Sequence, residues 1–336
     1  LGDTDDKALG TGWWSNVLAA FFGMLGLGGV LCLYFPQQLT TPELRAHYPV
    51  ETIRLLIQGV IWTALLFGTI GAIKRRKKVL ALGGLGLATL AALLGGANVK
   101  ITADLHDGPA IGLDYFLLDL FATALIYVPL ERLWPKRPEQ DTFRPQWTLD
   151  SVYFVAAHIP VQVVSFLVLL PATAATRWLS IPQAANLIAA LPLPLQFLLA
   201  VFVADLAEWA IHYALDKVPF LWRFHAIHHS SQRLDWLAGS RSHLLDEILV
   251  RAVVLIPLML VFSHEIMLAY LVFVSIHATL VHCNFGPSVK WLEPYLAMPR
   301  YHHWHHSSQP EAIDKNFAIH FPWIDRLVGT QYYPAH

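Results

Sequence analysis

The sequence predicts an all-α integral membrane protein built as a multi-span helical bundle. Hydrophobic residues make up 55% of the 336-residue chain and charged residues only 14%, whereas roughly 25% of an average soluble domain is charged. The apolar residues are also gathered into runs close to the ~20 residues that a helix needs to cross a bilayer core. We therefore expect lipid, rather than water, to surround much of the chain.

The apolar runs predict the individual helices. Three of them are long enough to span a bilayer on their own, and they lie at 13–35, 51–73 and 79–97. Further predicted helices lie at about 113–130, 150–172 and 192–213, and in a shorter pair at 248–262 and 265–281. The shorter pair predicts a hairpin that dips into the membrane, although helices of this length also occur in the cores of soluble proteins.

The runs also predict two domains. Residues 1–148 form the N-terminal transmembrane helices, with about four spans, and residues 149–336 form a second domain that contains most of the histidines. The chain begins with Leu rather than Met, and its acidic opening lacks the basic region of a secretory signal. We expect a trimmed start, with mature structure from Trp13 onward.

Basic residues indicate which side of the membrane the loops face. Residues 74–78, KRRKK, separate the second and third runs and are a marker of a cytoplasmic loop. Counting crossings from this loop places the basic 131–148 connection on the same side. Two more crossings bring His212 there, and an entering and returning 248–281 hairpin brings His282 and all later residues. We expect the histidine-rich domain to face the cytosol from a bacterial inner membrane or the endoplasmic reticulum.

Charge and cysteine content exclude two classes of protein. The net charge is −1, so the chain has no overall basic field to attract nucleic acid. The two cysteines, Cys32 and Cys283, are too few for the disulfide framework of a small secreted domain. We therefore expect neither a nucleic-acid partner nor a disulfide-stapled fold.

Histidine is concentrated in one part of the second domain, with 12 of the 17 histidines between residues 212 and 306. Residues 225–229, HAIHH, and 302–306, HHWHH, repeat one pattern, HxxHH. Positions i, i+3 and i+4 of a helix share one face, so each box can aim two or three imidazoles at a common point. The two boxes therefore predict two parts of a metal site.

A polar stripe at the end of the 192–213 run predicts a third part. Asp205, Glu208, His212 and Asp216 step by three, four and four residues along an otherwise apolar helix. Ionisable groups at membrane depth normally face the interior of a bundle, where partners or a metal compensate them. Pro219 favours the end of this helix, which places the stripe at the membrane surface.

The number of candidate ligands is sufficient for two metal ions, whereas a closed structural zinc site needs four. The candidates are His212, Asp216, His225, His228, His229, His243, His282, His302, His305 and His306. Imidazole suits zinc, copper, iron and nickel, so the ligand type does not name the metal. The carboxylates expected to support the liganding rings from outside are Asp205, Glu208, Asp246, Glu247 and Asp314. We expect His303, the odd member of its box, to be a supporting residue, and His264 and His277 not to bind metal.

The segment from Asp205 to Thr330 resembles the fatty acid hydroxylase superfamily, the sterol desaturase and sphingolipid hydroxylase group of membrane di-iron enzymes. The first box of that family reads approximately HR-x-x-H, then Pro and LW-x-FH-x-x-HHS, and here His212 to Pro219 is followed by LWRFHAIHHSS. Later elements are similar to RSH at 241–243, HCNFG at 282–286, PRYHHWHHS at 299–307, and Asn316 with WIDRLVGT. By this resemblance, Asn284 and His303 are expected to support the ligands.

The sequence departs from the family pattern at one candidate ligand. Asp216 stands where the family usually has the second histidine of its first box, and Tyr213 replaces the usual Arg. Histidine-plus-carboxylate iron sites do activate dioxygen, so we expect a modified site that keeps its activity.

The resemblance implies two bound iron ions, with zinc as a substitute when iron is withheld. It also implies an enzyme that uses O2 and external electrons to hydroxylate or desaturate a lipid, such as a sterol or fatty acyl lipid. The chain has no Gly-rich dinucleotide fingerprint, so ferredoxin, or cytochrome b5 with its reductase, is the expected type of electron donor. No catalytic residue beyond the metal ligands and no site for an organic cofactor are expected.

Two other functions remain open at this point. A histidine-rich membrane protein that binds or transports metal without catalysis would place its ligands along a path through the membrane. A zinc-dependent lipid hydrolase would normally carry an HExxH helix or a GxSxG turn, and neither motif is present in the chain.

Overall fold

The computed structural model describes residues 10–45, 47–101, 110–159 and 181–334, and the regular structure in these ranges is helical. In the same ranges, extended segments pair only in an isolated antiparallel bridge between Pro135 and Phe285. The predicted all-α class is therefore confirmed.

The described helices follow the apolar runs. The first six are α1 (Trp13–Tyr34), α2 (Pro36–Leu39), α3 (Pro42–Arg45), α4 (Val50–Lys74), α5 (Val79–Leu93) and α6 (Leu113–Leu133). The later ones are α7 (Trp147–His158), α8 (Pro182–Ala189), α9 (Leu193–Lys217), α10 (Pro219–His225), α11 (Leu244–Val261), α12 (His264–His282), α13 (Pro299–His305) and α14 (Pro322–Val328). Several short helices start at proline, because the first helical position does not need a backbone N–H.

Six helices in the described part of the chain are long and apolar enough to cross a membrane. They are α1, α4, α5 with its extension to Asn98, α6, α9 and α12. The predicted multi-span architecture is confirmed. The predicted run at 150–172 begins as α7, and its residues 160–172 lie outside the described residues. The predicted 248–262 helix is α11, and its entry into the membrane stays a prediction.

The chain divides into two compact units, Leu1–Leu120 and Phe121–His336. The expected domain boundary at residue 148 stays a prediction. In the first unit, α1 packs closely on α4 and α5. A Cβ atom at Gly23 would lie 2.7 Å from the backbone oxygen of Gly84, so only glycine permits this approach of α1 to α5, as in many transmembrane helix pairs. Large apolar side chains such as Ile73 and Leu93 stay about four-fifths exposed, at 79% and 80%, which suits contact with lipid.

The second unit has an apolar core between α9, α11 and α12. Ala200 and Ala204 on α9 pack with Leu258 on α11 and with Ile266 and Tyr270 on α12. This packing fixes the direction in which α9 continues toward its polar end. The helix ends at Lys217, and Val218 adopts an extended conformation before Pro219 starts α10. The break turns the chain back, so that α10 lies beside the last turns of α9.

Candidate metal centre

Four segments bring ligand-type side chains together. They are the end of α9, α10 with the 3₁₀ turn His228–Ser230 that follows it, the last residue of α12, and α13 with the residue after it. Each segment ends a helix, where the chain changes direction and side chains from different helices can converge. The described side chains at these ends form two adjoining groups, which we name group A and group B.

Group A contains four imidazoles and one carboxylate, with one ligand atom of each residue within 4.8 Å of the others: His212, Asp216, His225, His229 and His305. The Asp216 Oδ1 atom lies 3.5 Å from His229 Nε2 and 3.8 Å from His225 Nε2. The His229 and His305 Nε2 atoms are 3.1 Å apart. The Asp216 carboxylate therefore lies among the imidazole nitrogens, as a metal ligand would.

Group B contains four imidazoles within the same limit: His228, His282, His302 and His306. Its Nε2 atoms lie 3.2 Å apart between His228 and His282, 2.9 Å between His282 and His302, and 3.1 Å between His302 and His306. The two groups share a border, since the rings of His229 and His306 have centroids only 4.4 Å apart. Two cations could therefore sit side by side.

Each HxxHH box contributes to both groups. In the first box, residues 225 and 229 join group A while His228 joins group B; in the second box, residues 302 and 306 join group B while His305 joins group A. In both boxes, the first and last histidines of HxxHH, which are four residues apart, share a group. The histidine just before the last one joins the other group. The boxes thus interlock, where the sequence predicted only that two or three rings share one point.

The hydrogen bonds of the Nδ1 atoms define the protonation of the rings. The Nδ1 atoms of His212, His282 and His305 lie 2.8, 2.7 and 2.8 Å from the backbone oxygens of Phe317, Ala278 and Lys315. His228 Nδ1 similarly faces the Arg241 oxygen at 3.3 Å. A carbonyl oxygen only accepts hydrogen bonds, so Nδ1 carries the proton in these neutral rings and Nε2 presents a lone pair.

These lone pairs point at one another. His228 and His282 both protonate Nδ1, and yet their Nε2 atoms are 3.2 Å apart. In group A, the Nε2 atoms of His212 and His225 and the Oδ1 atom of Asp216 are buried without a hydrogen-bond partner. Buried acceptors that face each other in this way are unfavourable unless a cation lies between them. The donor sets therefore fit bound metal ions.

Protonation of the imidazoles does not replace the metal ions at neutral pH, because the pKa values of the rings are low. Burial, followed by the nearby His212 and His305 rings, lowers the pKa of His225 to about 2. Burial also lowers the pKa of His305 to about 4 and holds the pKa values of His228 and His302 well below the ordinary range. Neutral imidazole is the form that binds a metal ion, so the site keeps its rings in that form at neutral pH.

One carboxylate contacts a group A imidazole from outside. The Asp246 Oδ2 atom in the first turn of α11 accepts a hydrogen bond from His225 Nδ1 at 2.9 Å. This is the carboxylate–histidine arrangement that fixes ring orientation and raises ligand basicity. The neighbouring Glu247 instead accepts from Ser242 at 2.6 Å and pairs with Arg251 at 3.3 Å. The supporting role predicted for Asp246 therefore has a specific contact, and that for Glu247 does not.

A buried ionic network supports group B. Arg241, whose backbone oxygen accepts from His228, pairs with Asp150 at 2.5 Å. Arg144 lies between Asp150 and Asp235, at 2.6 and 2.9 Å, and is only 1% exposed. The sequence analysis did not predict this network, because Arg144 joins Asp150 at the start of α7 to Asp235 in a loop 91 residues after Arg144, and no periodicity reveals such a contact.

Two further carboxylates hold the segment that carries Phe317. Asp205, on α9, accepts from the backbone N–H groups of Ile319, His320 and Phe321 at 2.6 to 3.0 Å. Asp325 accepts from the Phe317 and Ala318 N–H groups at 3.1 and 2.7 Å. Asp205 therefore holds the backbone of this segment and does not contact a ligand ring directly. The sequence analysis did not predict the role of Asp325, although Asp325 is the one acidic residue of the WIDRLVGT segment.

The remaining predicted site residues lie elsewhere. The structure does not bring His243 into either group: its Nδ1 accepts from the Leu245 N–H at 3.1 Å and caps the start of α11. Asn284 joins the Arg137 backbone instead of a ring, and Asp314 pairs with Lys217 at 2.5 Å. Glu208 belongs to neither group among the described residues.

His303 is the predicted supporting residue that does contact group B. Its Nε2 donates to the backbone oxygen of His282 at 3.1 Å, so its Nδ1 accepts from Lys136 Nζ at 3.0 Å. It therefore connects a cation on the 134–137 loop to the end of α12. Beside it, a cavity of about 530 Å³ opens and is lined by both His303 and His306. Group B thus has one edge on a cavity.

Comparison with known proteins gives one family. Residues 197–330 match the family described as Fatty acid hydroxylase. Ornithine lipid hydroxylase OlsE from Rhizobium tropici is 30% identical over 144 residues, which are 43% of this chain and 44% of the relative. Alkylglycerol monooxygenase from Danio rerio is 27% identical over 133 residues, or 39% and 29% of the two chains. The alkylglycerol monooxygenase of Caenorhabditis elegans is 24% identical over 137 residues, or 41% and 27%.

The matches therefore span less than half the length of these curated relatives, and no solved structure matches the chain. The matching region contains all the residues of groups A and B. The six apolar helices and these relatives indicate an integral membrane protein. The relatives are named as a lipid hydroxylase and as monooxygenases. Residues 197–330 are therefore similar to the fatty acid hydroxylase family.

Proposed function

We propose that this protein is a di-iron membrane oxygenase that uses O2 and external electrons to hydroxylate a lipid. The observation that carries the proposal is the pair of adjoining donor groups whose imidazole lone pairs converge on two points. The names of the matching family and of the Rhizobium tropici relative both describe hydroxylation of a fatty acid or lipid. Monooxygenase relatives favour hydroxylation over desaturation.

We assign the nine residues of groups A and B as the ligands of the two ions. When bound, the iron ions supply the activation of O2 and the attack on an unactivated C–H bond. The chain supplies the geometry: backbone oxygens hold the Nδ1 protons of His212, His282 and His305, so their Nε2 atoms stay aimed at the ions. The Asp216 carboxylate adds negative charge to group A and offsets part of the charge of its ion.

The other two functions are less well supported. A transporter needs ligands along a path, whereas the imidazoles here are confined to two compact groups. A zinc hydrolase needs a general base beside one ion, and the only carboxylate in either group is Asp216, among ligand nitrogens. The electron donor is proposed to be ferredoxin or cytochrome b5 with its reductase. The orientation of the groups toward the cytosol is proposed from the KRRKK loop.

The decisive experiment combines iron content, O2 consumption and product analysis on the purified full chain. We expect two iron ions per chain, and O2 use coupled to a lipid product that is one oxygen atom heavier. His282→Ala should lose iron and activity, while His243→Ala should keep its iron, because His243 lies outside both groups. A protein that holds only zinc under iron-replete conditions, or an inactive wild type with full iron, would refute the proposal.

A further inference from the structure

The cavity beside group B is large enough for part of a ligand. Its volume is about 530 Å³, within the range of small-molecule sites. It is lined by His306 of group B and by His303, and its other walls come from the 136–137 loop, the 285–288 loop and the start of α13. A group bound in this cavity would therefore lie directly beside the proposed metal site.

The lining of the cavity has an excess of positive charge. Lys136, Arg137 and Arg300 supply three cations, and Glu293 supplies the only carboxylate among the lining residues. The Glu293 Oε1 atom already accepts from Ser288 Oγ at 2.5 Å. Burial, then the charges of Arg137 and Arg300, lower the pKa of Lys136 to about 8. These cations lie close enough to repel one another, and a bound anion would relieve that repulsion.

The arrangement differs from a solvated basic patch, because two of its cations are held in place. Lys136 is half-buried and donates to His303, whose other nitrogen donates to the His282 backbone. Arg300 donates to the Pro334 oxygen at 2.6 Å and lies 4.6 Å from the centre of the Tyr333 ring. Fixed cations in a concave site are suited to binding a small anionic group, since no side-chain ordering remains to be done.

We propose that this cavity binds the anionic group of the lipid substrate, a phosphate or a carboxylate, between Lys136, Arg137 and Arg300. This inference rests on the proposed lipid hydroxylation and names the class of lipid: one with an acidic headgroup. Seating the headgroup beside His306 brings the headgroup end of the lipid, rather than the tip of its tail, to the metal site. An acidic face of an electron-donor protein is less well suited to a cavity with half-buried charges.

The test measures binding of matched amphiphiles to the metal-loaded full chain in dodecyl maltoside micelles by isothermal titration calorimetry. The probes are dodecyl phosphate, inorganic phosphate and dodecyltrimethylammonium. The wild type should bind dodecyl phosphate and not the cationic amphiphile. Lys136→Gln should weaken dodecyl phosphate binding about tenfold and the more exposed Arg137→Gln about threefold. Lys290→Gln removes one exposed charge from the adjoining loop outside the cavity lining and should leave binding unchanged.

Arg137→Gln keeps the test valid if Lys136→Gln disturbs the fold, because the Arg137 side chain is exposed. Equal binding of dodecyl phosphate by wild type and both cavity variants would overturn the proposal. Inorganic phosphate bound as tightly as dodecyl phosphate would overturn the assignment to a lipid headgroup. A donor protein whose affinity falls in the variants, while that of dodecyl phosphate does not, would overturn it as well. Binding needs no turnover, so a chain that discriminates these probes but oxidises no lipid would refute the proposed function alone.

Discussion

The contact between Asp246 and His225 allows a graded test of the proposed metal site. The Asp246 carboxylate accepts from His225 Nδ1 at 2.9 Å inside the protein. A hydrogen bond to a charged group contributes about 1.5–3 kcal/mol and a neutral one about 0.5–1.5 kcal/mol. Asp246→Asn keeps an acceptor oxygen but loses the charge, a difference of about 1 kcal/mol. Asp246→Ala loses the whole bond and leaves a buried N–H without a partner.

These energies convert into metal affinity, because the ring must keep its orientation to bind. With about 1.4 kcal/mol for each factor of ten, we expect Asp246→Asn to weaken metal binding at group A about fivefold to tenfold. Asp246→Ala should weaken it about 10- to 100-fold, the range usual for partners of metal-binding histidines. Group B should be less affected, since its four rings do not contact Asp246 among the described hydrogen bonds.

The assay is a competition between the protein and a chelator of known affinity, with bound iron measured per chain. Glu247→Gln is the matched control: it removes the next carboxylate along α11, which contacts Ser242 and Arg251 rather than a histidine. We expect the wild type and Glu247→Gln to bind iron equally tightly, Asp246→Asn to bind it more weakly, and Asp246→Ala to bind it most weakly. Equal loss of iron from Asp246→Ala and Glu247→Gln would show that the Asp246–His225 contact does not support the metal site. An Asp246→Asn variant that binds iron more weakly than Asp246→Ala would show the same.

Three other predictions concern contacts in or near the two groups. Asp216→Ala should lose most of the iron in group A and most of the activity, because it removes the only carboxylate of the group, whereas Asp216→His should retain more of both. Iron content and turnover check this, and an Asp216→Ala variant with full iron would show that Asp216 is not a ligand. Arg241→Leu should destabilise the fold by about 3–5 kcal/mol, since it leaves part of the Asp150 charge buried without its partner; a denaturation midpoint close to that of the wild type would contradict this. Fragmentation mass spectrometry of the product should locate the new hydroxyl near the headgroup, and a hydroxyl at the methyl end of the tail would contradict the seating of the lipid beside His306.

Local patterns in the sequence were sufficient to predict the apolar helices and the side chains that the structure gathers into groups A and B. The apolar runs directly reflect the length of a bilayer crossing, and HxxHH reports side chains on one helix face. The same reasoning could not divide the boxes between two groups. The first box leaves α10 at His225 and continues through a 3₁₀ turn, and this change in helical geometry is not encoded in the spacing of the histidines alone.

His243 and Asp325 illustrate why the rest was not predictable. His243 is a histidine in a ligand-like motif, but it stands at the N-terminal cap of α11, where its ring satisfies a backbone N–H. Asp325 carries no metal-binding signal, yet it accepts from the side chains of Trp209 and Tyr301 and from two backbone N–H groups near Phe317. Both side chains accept from backbone N–H groups, at Leu245 for His243 and at Phe317 and Ala318 for Asp325. The pattern of side chains along the sequence contains no information about which backbone N–H groups need an acceptor.

Metal removal should have a larger effect on stability than the loss of any one ligand contact. Chelation leaves converging lone pairs buried in both groups, together with the Asp216 carboxylate. Free metal at 1,000 times its dissociation constant stabilises the folded state by about 4.1 kcal/mol. For a unit of the size of Phe121–His336, each kcal/mol shifts Tm by about 2–4 °C, so we expect chelation to lower Tm on the order of 10 °C.

The loss should also be local, because the cation acts on the helix ends that meet at the two groups. Hydrogen exchange measured by mass spectrometry should accelerate in 225–229 and 302–306 after chelation, and should stay unchanged in α1, which contains no residue of either group. Restoring iron should reverse both effects. If the chelated protein keeps its Tm and its exchange rates in the two boxes, the facing lone pairs are tolerated without a cation. Groups A and B would then be stable polar clusters that need no metal ion.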